Sequence, residues 1–218
     1  MGKFKGLTMA EKIGYVRDYY TWHIIAGIIA IAIFGWSLNH YVLNPPPQTF
    51  LNVSFLGQFV PEDLRNNFEV NLSENILDDH VNYRIVVDNF FFAGNDPSFD
   101  MAMTQRMIAM VAAAQLDIFI IAPDEIQGIH NQGFSTNLRE VLNPVVFANL
   151  YEIEAIAFNE ALAPFGLKLE SLLYFNNFAS GFGIDFSDWV LVVLPNSTRD
   201  LAVHAFIDHV LSFPGQFD

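Results

Sequence analysis

Residues 24–43 read IIAGIIAIAIFGWSLNHYVL, with no Lys, Arg, Asp or Glu and with polar side chains only at Ser37, Asn39 and His40. About 20 helical residues cross the hydrocarbon core of a bilayer, so the run is long enough to span one. Each central Ile or Phe favours insertion by about 0.3–0.6 kcal/mol. Trp22 stands before the run, and Trp36 and Tyr41 lie towards its end, where interfacial aromatics belong. Pro45, Pro46 and Pro47 then stop the helix. A helix packed on the surface of a soluble domain would keep a polar face, whereas this one is apolar on nearly all faces, as a membrane span or, alternatively, a fully buried core helix would be. A secretory signal would have a shorter apolar region and a small-residue cleavage site, but here Asn39, His40 and Tyr41 follow instead. The run is therefore expected to be an uncleaved transmembrane helix over residues 21–43.

Flanking charge sets its direction. Lys3, Lys5, Lys12 and Arg17 precede the span, and no Lys or Arg follows until Arg65. Basic flanks stay in the cytoplasm, so residues 1–20 are expected inside and residues 50–218 outside, after a Pro-rich linker at 44–49. Thr8 and Glu11 have capping-box spacing, and Ile13, Val16 and Tyr20 recur at helical intervals. Residues 8–20 are expected either to lie as an amphipathic helix on the inner surface or to extend the span. Ala26, Gly27, Ala30 and Gly35 would let another helix approach closely.

The exported part is one domain long. Its 6 basic and 22 acidic side chains give it a charge of −16, against +2 for the first 43 residues. Such a balance disfavours nucleic acid, whose phosphates need Lys and Arg, and anionic lipid surfaces. The chain has no cysteine, which excludes disulfides, zinc–thiolate sites and thiol nucleophiles. A domain without staples must rest on its core, and most of the 22 phenylalanines lie outside the span. Three N-x-S/T triplets begin at Asn52, Asn71 and Asn196, a pattern common by chance.

Local patterning predicts strands over 48–56, 83–88, 116–125 and 188–195, the third and fourth as continuous apolar runs of the kind buried in parallel sheets. Helices are predicted over 61–68, 99–114 and from Asn143-Pro144 to about 161, with a break near Pro164 and Gly166. A last helix, capped by 196–198, presents Val203, Phe206, Ile207 and Val210 and stops at Pro214-Gly215. "LKLESLLYFNNF" fits strand or helix equally. The methionines of 99–114 read as core filler. Strands alternating with helices predict an α/β domain, a mostly parallel sheet flanked by helices.

Two stretches add a resemblance. "MTQRMIAMVAAAQLDIFIIAPDEIQGIHNQGFSTNLREVL" (103–142) and "DWVLVVLPNSTRDLAVHAFIDHVL" (188–211) resemble the helix–strand–helix and strand–turn–helix segments of extracellular solute-binding proteins with the type 2 periplasmic-binding fold. Together they cover about a third of the chain. "YVRDYYTWHII" is similar to the start of single-span membrane proteins of unassigned function in Gram-positive bacteria. The resemblance implies one lobe of a fold that normally has two, and hence a binding or interaction role.

Catalytic patterns are missing from the sequence: it contains no G-x-S-x-G, P-loop or H-E-x-x-H, and "GFGID" at Gly181 is not a dinucleotide fingerprint. Glu152 and Glu154 are two apart, which on a helix separates them. His204 with Asp208, and Asp78-Asp79-His80, read first as solvated surface and only second as metal ligands; His23 and His40 read as interfacial. No enzyme activity, cofactor or metal is expected. In an open parallel sheet, ligands approach the carboxyl ends of the strands, so Gln58, Asn89, Asp124 and Asn196 are the candidate binding residues. The expected protein is a membrane-anchored extracellular binding module for a small ligand or a membrane or envelope protein. The alternative is a structural subunit of a cell-envelope membrane complex.

Overall fold

A computed structural model describes residues 8–158, 163–180 and 185–212. Lys3, Lys5, Gly181 of "GFGID", the helix end expected near 161 and the stop at Pro214-Gly215 lie outside the described residues. The chain forms two compact units, Met1–Pro46 and Pro47–Asp218.

The first unit is a single helix, α1 (Met9–Leu38), which begins one residue after Thr8. It runs unbroken from the segment at 9–20 into the apolar run. The last turn widens to a π-helix at Asn39–Leu43, closed by the Asn44 amide donating to the Asn39 carbonyl at 2.9 Å. Its stretch Tyr19–Leu43 has the length and apolarity to cross a membrane. Side chains from Trp22 to Trp36 are exposed all round the helix. Aromatic clusters mark both ends: Tyr20 meets Tyr19 and His23 edge-on, while Trp36 stacks on His40 and meets Tyr41. At about 1.5 Å per residue, Tyr20 and Tyr41 stand about 31 Å apart along the axis, close to the roughly 30 Å hydrocarbon thickness.

The second unit is an α/β domain around a six-stranded mixed sheet. Its strands are β1 (Gln48–Gly57), β2 (Tyr83–Phe91), β3 (Ile118–Ile121), β4 (Ile156–Phe158), β5 (Pro164–Lys168) and β6 (Val190–Val193), in spatial order β2-β1-β3-β6-β5-β4. β1 pairs in parallel with both β2 and β3. β6 runs antiparallel to β3, with Ile118 opposite Val193 and Ile121 opposite Val190, and the β6–β5 and β5–β4 pairs are antiparallel too. Parallel pairing, expected from the alternation of strands and helices, therefore describes one half of the sheet.

Helices cover both faces. On one face α2 (Glu62–Ile76) places Leu64, Phe68 and Leu72 one turn apart, and α8 (Asp200–Leu211) adds Val203, Phe206, Ile207 and Val210. They pack on Leu51, Val53, Phe55, Ile118, Ile120, Leu191 and Val193. On the other face Met107 and Val111 of α3 (Pro97–Ala112) cover Leu56, Phe90, Phe119, Ile121 and Val192. Asp96 caps α3 by accepting from the Ser98 and Phe99 amides, with Pro97 at the first turn. Four shorter helices, α4 (Ile126–Asn131), α5 (Leu138–Val141), α6 (Pro144–Glu152) and α7 (Leu173–Ser180), complete the layers.

The phenylalanine content builds the first face. Phe68 lies within 5.0–6.2 Å, ring to ring, of Phe55, Tyr174, Phe175 and Phe178, and Phe55 extends the cluster to Phe186 and Trp189. Burying such a side chain stabilises a fold by about 1.5–3 kcal/mol, which is how a domain without disulfides holds together.

Several elements depart from the local pattern. α2 and β2 run longer than expected, because Leu72 and Phe90 still reach the core. The helix from Pro144 ends at Glu152, where Glu154 takes a left-handed φ of 55°. The next residues pair with β5 as an edge strand, which outweighs their helical composition. The ambiguous "LKLESLLYFNNF" is strand, then 3-10 turn, then helix. Gly166 on β5 is required by close approach, since a Cβ there would stand 2.8 Å from the Leu191 carbonyl oxygen of β6. The last helix begins at Asp200, and no side chain caps it.

Among the described residues, Asn52, Ser54 and Asp117 are the buried polar residues of the core, and they form one network, in which the Ser54 hydroxyl donates to Asn52 Oδ1 at 3.1 Å. Asp117 accepts from the Asn52 amide (2.8 Å), the Ser197 hydroxyl (2.7 Å) and both ways from Arg199 Nη1 (3.0 and 2.9 Å). Its own amide donates to the Asn52 carbonyl and its carbonyl accepts from Leu194. Asn52 then donates to Asp88, which pairs with Arg106 at 2.7 Å. All three N-x-S/T asparagines are committed inside the fold: Asn52 to Asp88, Asn71 to the Tyr174 hydroxyl and Asn196 to the Val111 carbonyl.

Two predictions follow from this packing. Asp117→Ala strips the partner from a guanidinium that is only 24% exposed and leaves the Asn52 amide unbonded. Denaturant titration is expected to show a loss of about 3–5 kcal/mol. His209 sits against Tyr174 with Nε2 buried and unbonded, and burial holds its pKa below the usual value. Below about pH 6.5 the unfolded chain takes up a proton that folded His209 resists, so stability falls as pH drops from there towards the folded pKa. His209→Gln is expected to make that slope shallower in thermal scans between about pH 6.5 and 5.

Candidate functional site at the carboxyl edge of the sheet

The chain leaves β1 towards β2 on one side and reaches β3 on the other, so α2 and α3 are carried to opposite faces. Strand order thus reverses at β1, and the loops after β1 and β3 part, opening a crevice at their carboxyl ends. β6 runs the other way, so it brings the residues before its first strand position to the same edge.

A cleft of about 410 Å³ lies there, lined by Gln58, Phe59, Val60, Pro123, Asp185, Ser187 and Trp189. Its first wall is the loop after β1. Gly57 turns the chain at φ +104°, and Asn89 of β2 then holds the loop. Asn89 Nδ2 donates to the Phe55 carbonyl at 3.3 Å and the Gln58 carbonyl at 2.9 Å, and Oδ1 accepts from the Val60 amide at 2.9 Å. Phe59 stays 62% exposed, with the Phe91 ring edge-on at 5.2 Å. The second wall is the 3-10 turn Pro123–Glu125, joined to β1 by the Ala122 amide donating to the Leu56 carbonyl at 2.9 Å. The third is the approach to β6, where Asp185 accepts from both the amide and the hydroxyl of Ser187, and Asp188 takes a left-handed φ of 62°.

Electrostatics here are acidic. The Ser187 bonds hold the Asp185 carboxyl below its ordinary range. Burial, and then the charge of Asp124, push Glu125 above its own.

Of the four residues expected at the strand ends, Gln58 lines the cleft, Asn89 positions its loop, and Asp124 stands exposed beside Pro123. Asn196 lies at the opposite edge, against the end of α3, because β6 is antiparallel. Phe59, Pro123, Asp185, Ser187 and Trp189 were not singled out in the sequence. "SDW" before an apolar run marks the head of a strand, and parallel pairing would have sent that head to the far edge.

The other polar clusters have structural roles or stand apart. Asp79 accepts from the amides of Val81 and Asn82 and from the Asn82 side chain, tying the turn before β2. His204 and Asp208 are exposed on α8. No group of three or more His, Asp or Glu converges on a metal position among the described residues. A second cavity, of about 220 Å³, lies at the opposite edge beside Ser197, Asp200 and His204. Compared with protein-family models, curated proteins and solved structures, the chain has no significant match.

Gly57 tests how the cleft is shaped. A Cβ at this position would stand 2.9 Å from both Ala122 Cβ and Glu125 Cγ, whereas one at Gly133, also at positive φ, would meet nothing within 4 Å. Both Ala variants incur backbone strain of about 1–3 kcal/mol. Gly57→Ala is expected to cost more than Gly133→Ala in denaturant titration and to increase amide exchange in residues 58–60.

Proposed function

We propose that this chain is a membrane-anchored extracellular binding protein without catalytic activity, its amino end in the cytoplasm and its α/β domain outside. The observation that carries the binding role is the cleft at the strand-order reversal of β1, since ligands of open α/β sheets bind outside the carboxyl ends of strands at such a point. Its mixture of aromatic and apolar walls with a few polar groups is the usual make-up of a small-molecule site. The resemblance of residues 103–142 and 188–211 to segments of solute-binding proteins supports this reading, with the domain proposed as a single lobe. The apolar helix and its basic amino flank support the anchoring and its direction.

Two measurements test the reading. A protease-sensitive tag after residue 218 is expected to be cleaved on intact cells with an accessible surface, and a tag before residue 1 to be protected; the reverse pattern overturns the topology. Thermal scans of the full-length protein in nanodiscs against fractionated extracellular metabolites are expected to raise Tm with at least one fraction. A ligand at a hundred times its Kd stabilises by about 2.7 kcal/mol. Phe59→Ala is expected to reduce that rise, and a rise it leaves unchanged counts against the cleft.

A further inference from the structure

We propose that the carboxyl-edge cleft takes a small organic cation, an ammonium group carried on an apolar body. The inference deepens the binding role above and rests on it. The cleft has two kinds of wall. Phe59, Val60, Pro123 and Trp189 supply apolar surface, and Gln58, Asp185 and Ser187 supply polar atoms. Asp185 is the one lining side chain among the described residues that carries a charge. Asp124 and Glu125 share the turn that begins at Pro123, and Asp188 lies between Ser187 and Trp189. The cation on the first turns of α2, Arg65, directs its Nε to the Val60 carbonyl at 3.3 Å. An anion entering the cleft would therefore meet a carboxylate with no lining Lys or Arg to offset it.

Three further features favour a cation. Asp185 is kept ionised by the paired Ser187 donors, so it presents a fixed negative charge. Burial first, and then the charge of the adjacent Asp124, raise the pKa of Glu125, and a neighbouring cation relieves both. Phe59 adds an exposed ring braced by Phe91; ammonium groups are attracted to the faces of such rings. The volume, about 410 Å³, suits a small molecule.

Three probes of one shape and different charge test this: 2-phenylethylammonium, 2-phenylethanol and 3-phenylpropionate. Each is titrated calorimetrically into the full-length protein in phosphatidylcholine nanodiscs, with empty nanodiscs subtracted. The ammonium compound is expected to bind at least about tenfold tighter than the alcohol, with the carboxylate weakest. Asp185→Asn is expected to shrink that advantage about threefold or more, and Phe59→Ala to weaken both the ammonium compound and the alcohol. If the alcohol or the carboxylate binds as tightly as the ammonium, the cation preference is wrong and the cleft survives as a binding site. If the ammonium binds but neither variant changes it, it binds elsewhere and the inference falls. If none of the three binds, the proposal falls, while the metabolite scan still decides the binding role itself.

Discussion

The α/β domain is organised around the carboxylate of Asp117. It sits at the amino end of β3, where the parallel half of the sheet meets the antiparallel half. Its backbone and side chain together join β1, β3 and the β6–α8 connection. A buried charge is costly unless paired and hydrogen-bonded, and here every neighbour is a donor: an amide, a hydroxyl and a guanidinium. Such an arrangement has few ways to be satisfied, so it selects one geometry for three segments distant in sequence. Asn52 and Asp88 continue the network to Arg106 on α3, and Arg199 stands at the start of α8 on the other face.

The two edges of the sheet are consequently different places. At the amino edge of the parallel strands, polar groups are spent on holding the fold. At the carboxyl edge, acidic and aromatic side chains line a cleft. Asn89 links the two uses: it sits within β2, yet its amide fixes the loop that forms one wall. The buried Asp117 carboxylate and its donors thus lie away from the surface proposed to meet ligand, where Phe59 stays exposed.

Much of the local structure was legible along the chain. β1 announces itself by the alternation of Leu51, Val53 and Phe55 with Asn52 and Ser54, β3 and β6 as apolar runs, α3 by Met103, Met107, Met110 and Val111 at helical spacing, and α8 by Val203, Phe206, Ile207 and Val210. Residues 156–158 were less legible, because their side chains suit a helix and only pairing with β5 makes them a strand. The cap expected at 196–198 failed for a related reason. Asn196 and Ser197 are drawn into tertiary bonds with Val111 and Asp117, and a side chain so engaged does not cap the next helix.

The candidate site divides the same way. Gln58 follows an apolar strand and is found at a carboxyl end by counting alone, and Asn89 and Asp124 lie near theirs. Asn196 also follows an apolar strand, but it lies at the other edge. The sequence by itself determined the long apolar helix and its basic flank, the acidic domain without cysteines that follows it, and most of the strands and helices, because each depends on residues close together in the chain. Only the tertiary structure decided which way β6 runs. A buried apolar run has the same composition read in either direction, and its direction depends on the partners it finds across the sheet. That one choice brings Asp185, Ser187 and Trp189 to the cleft and takes Asn196 away from it.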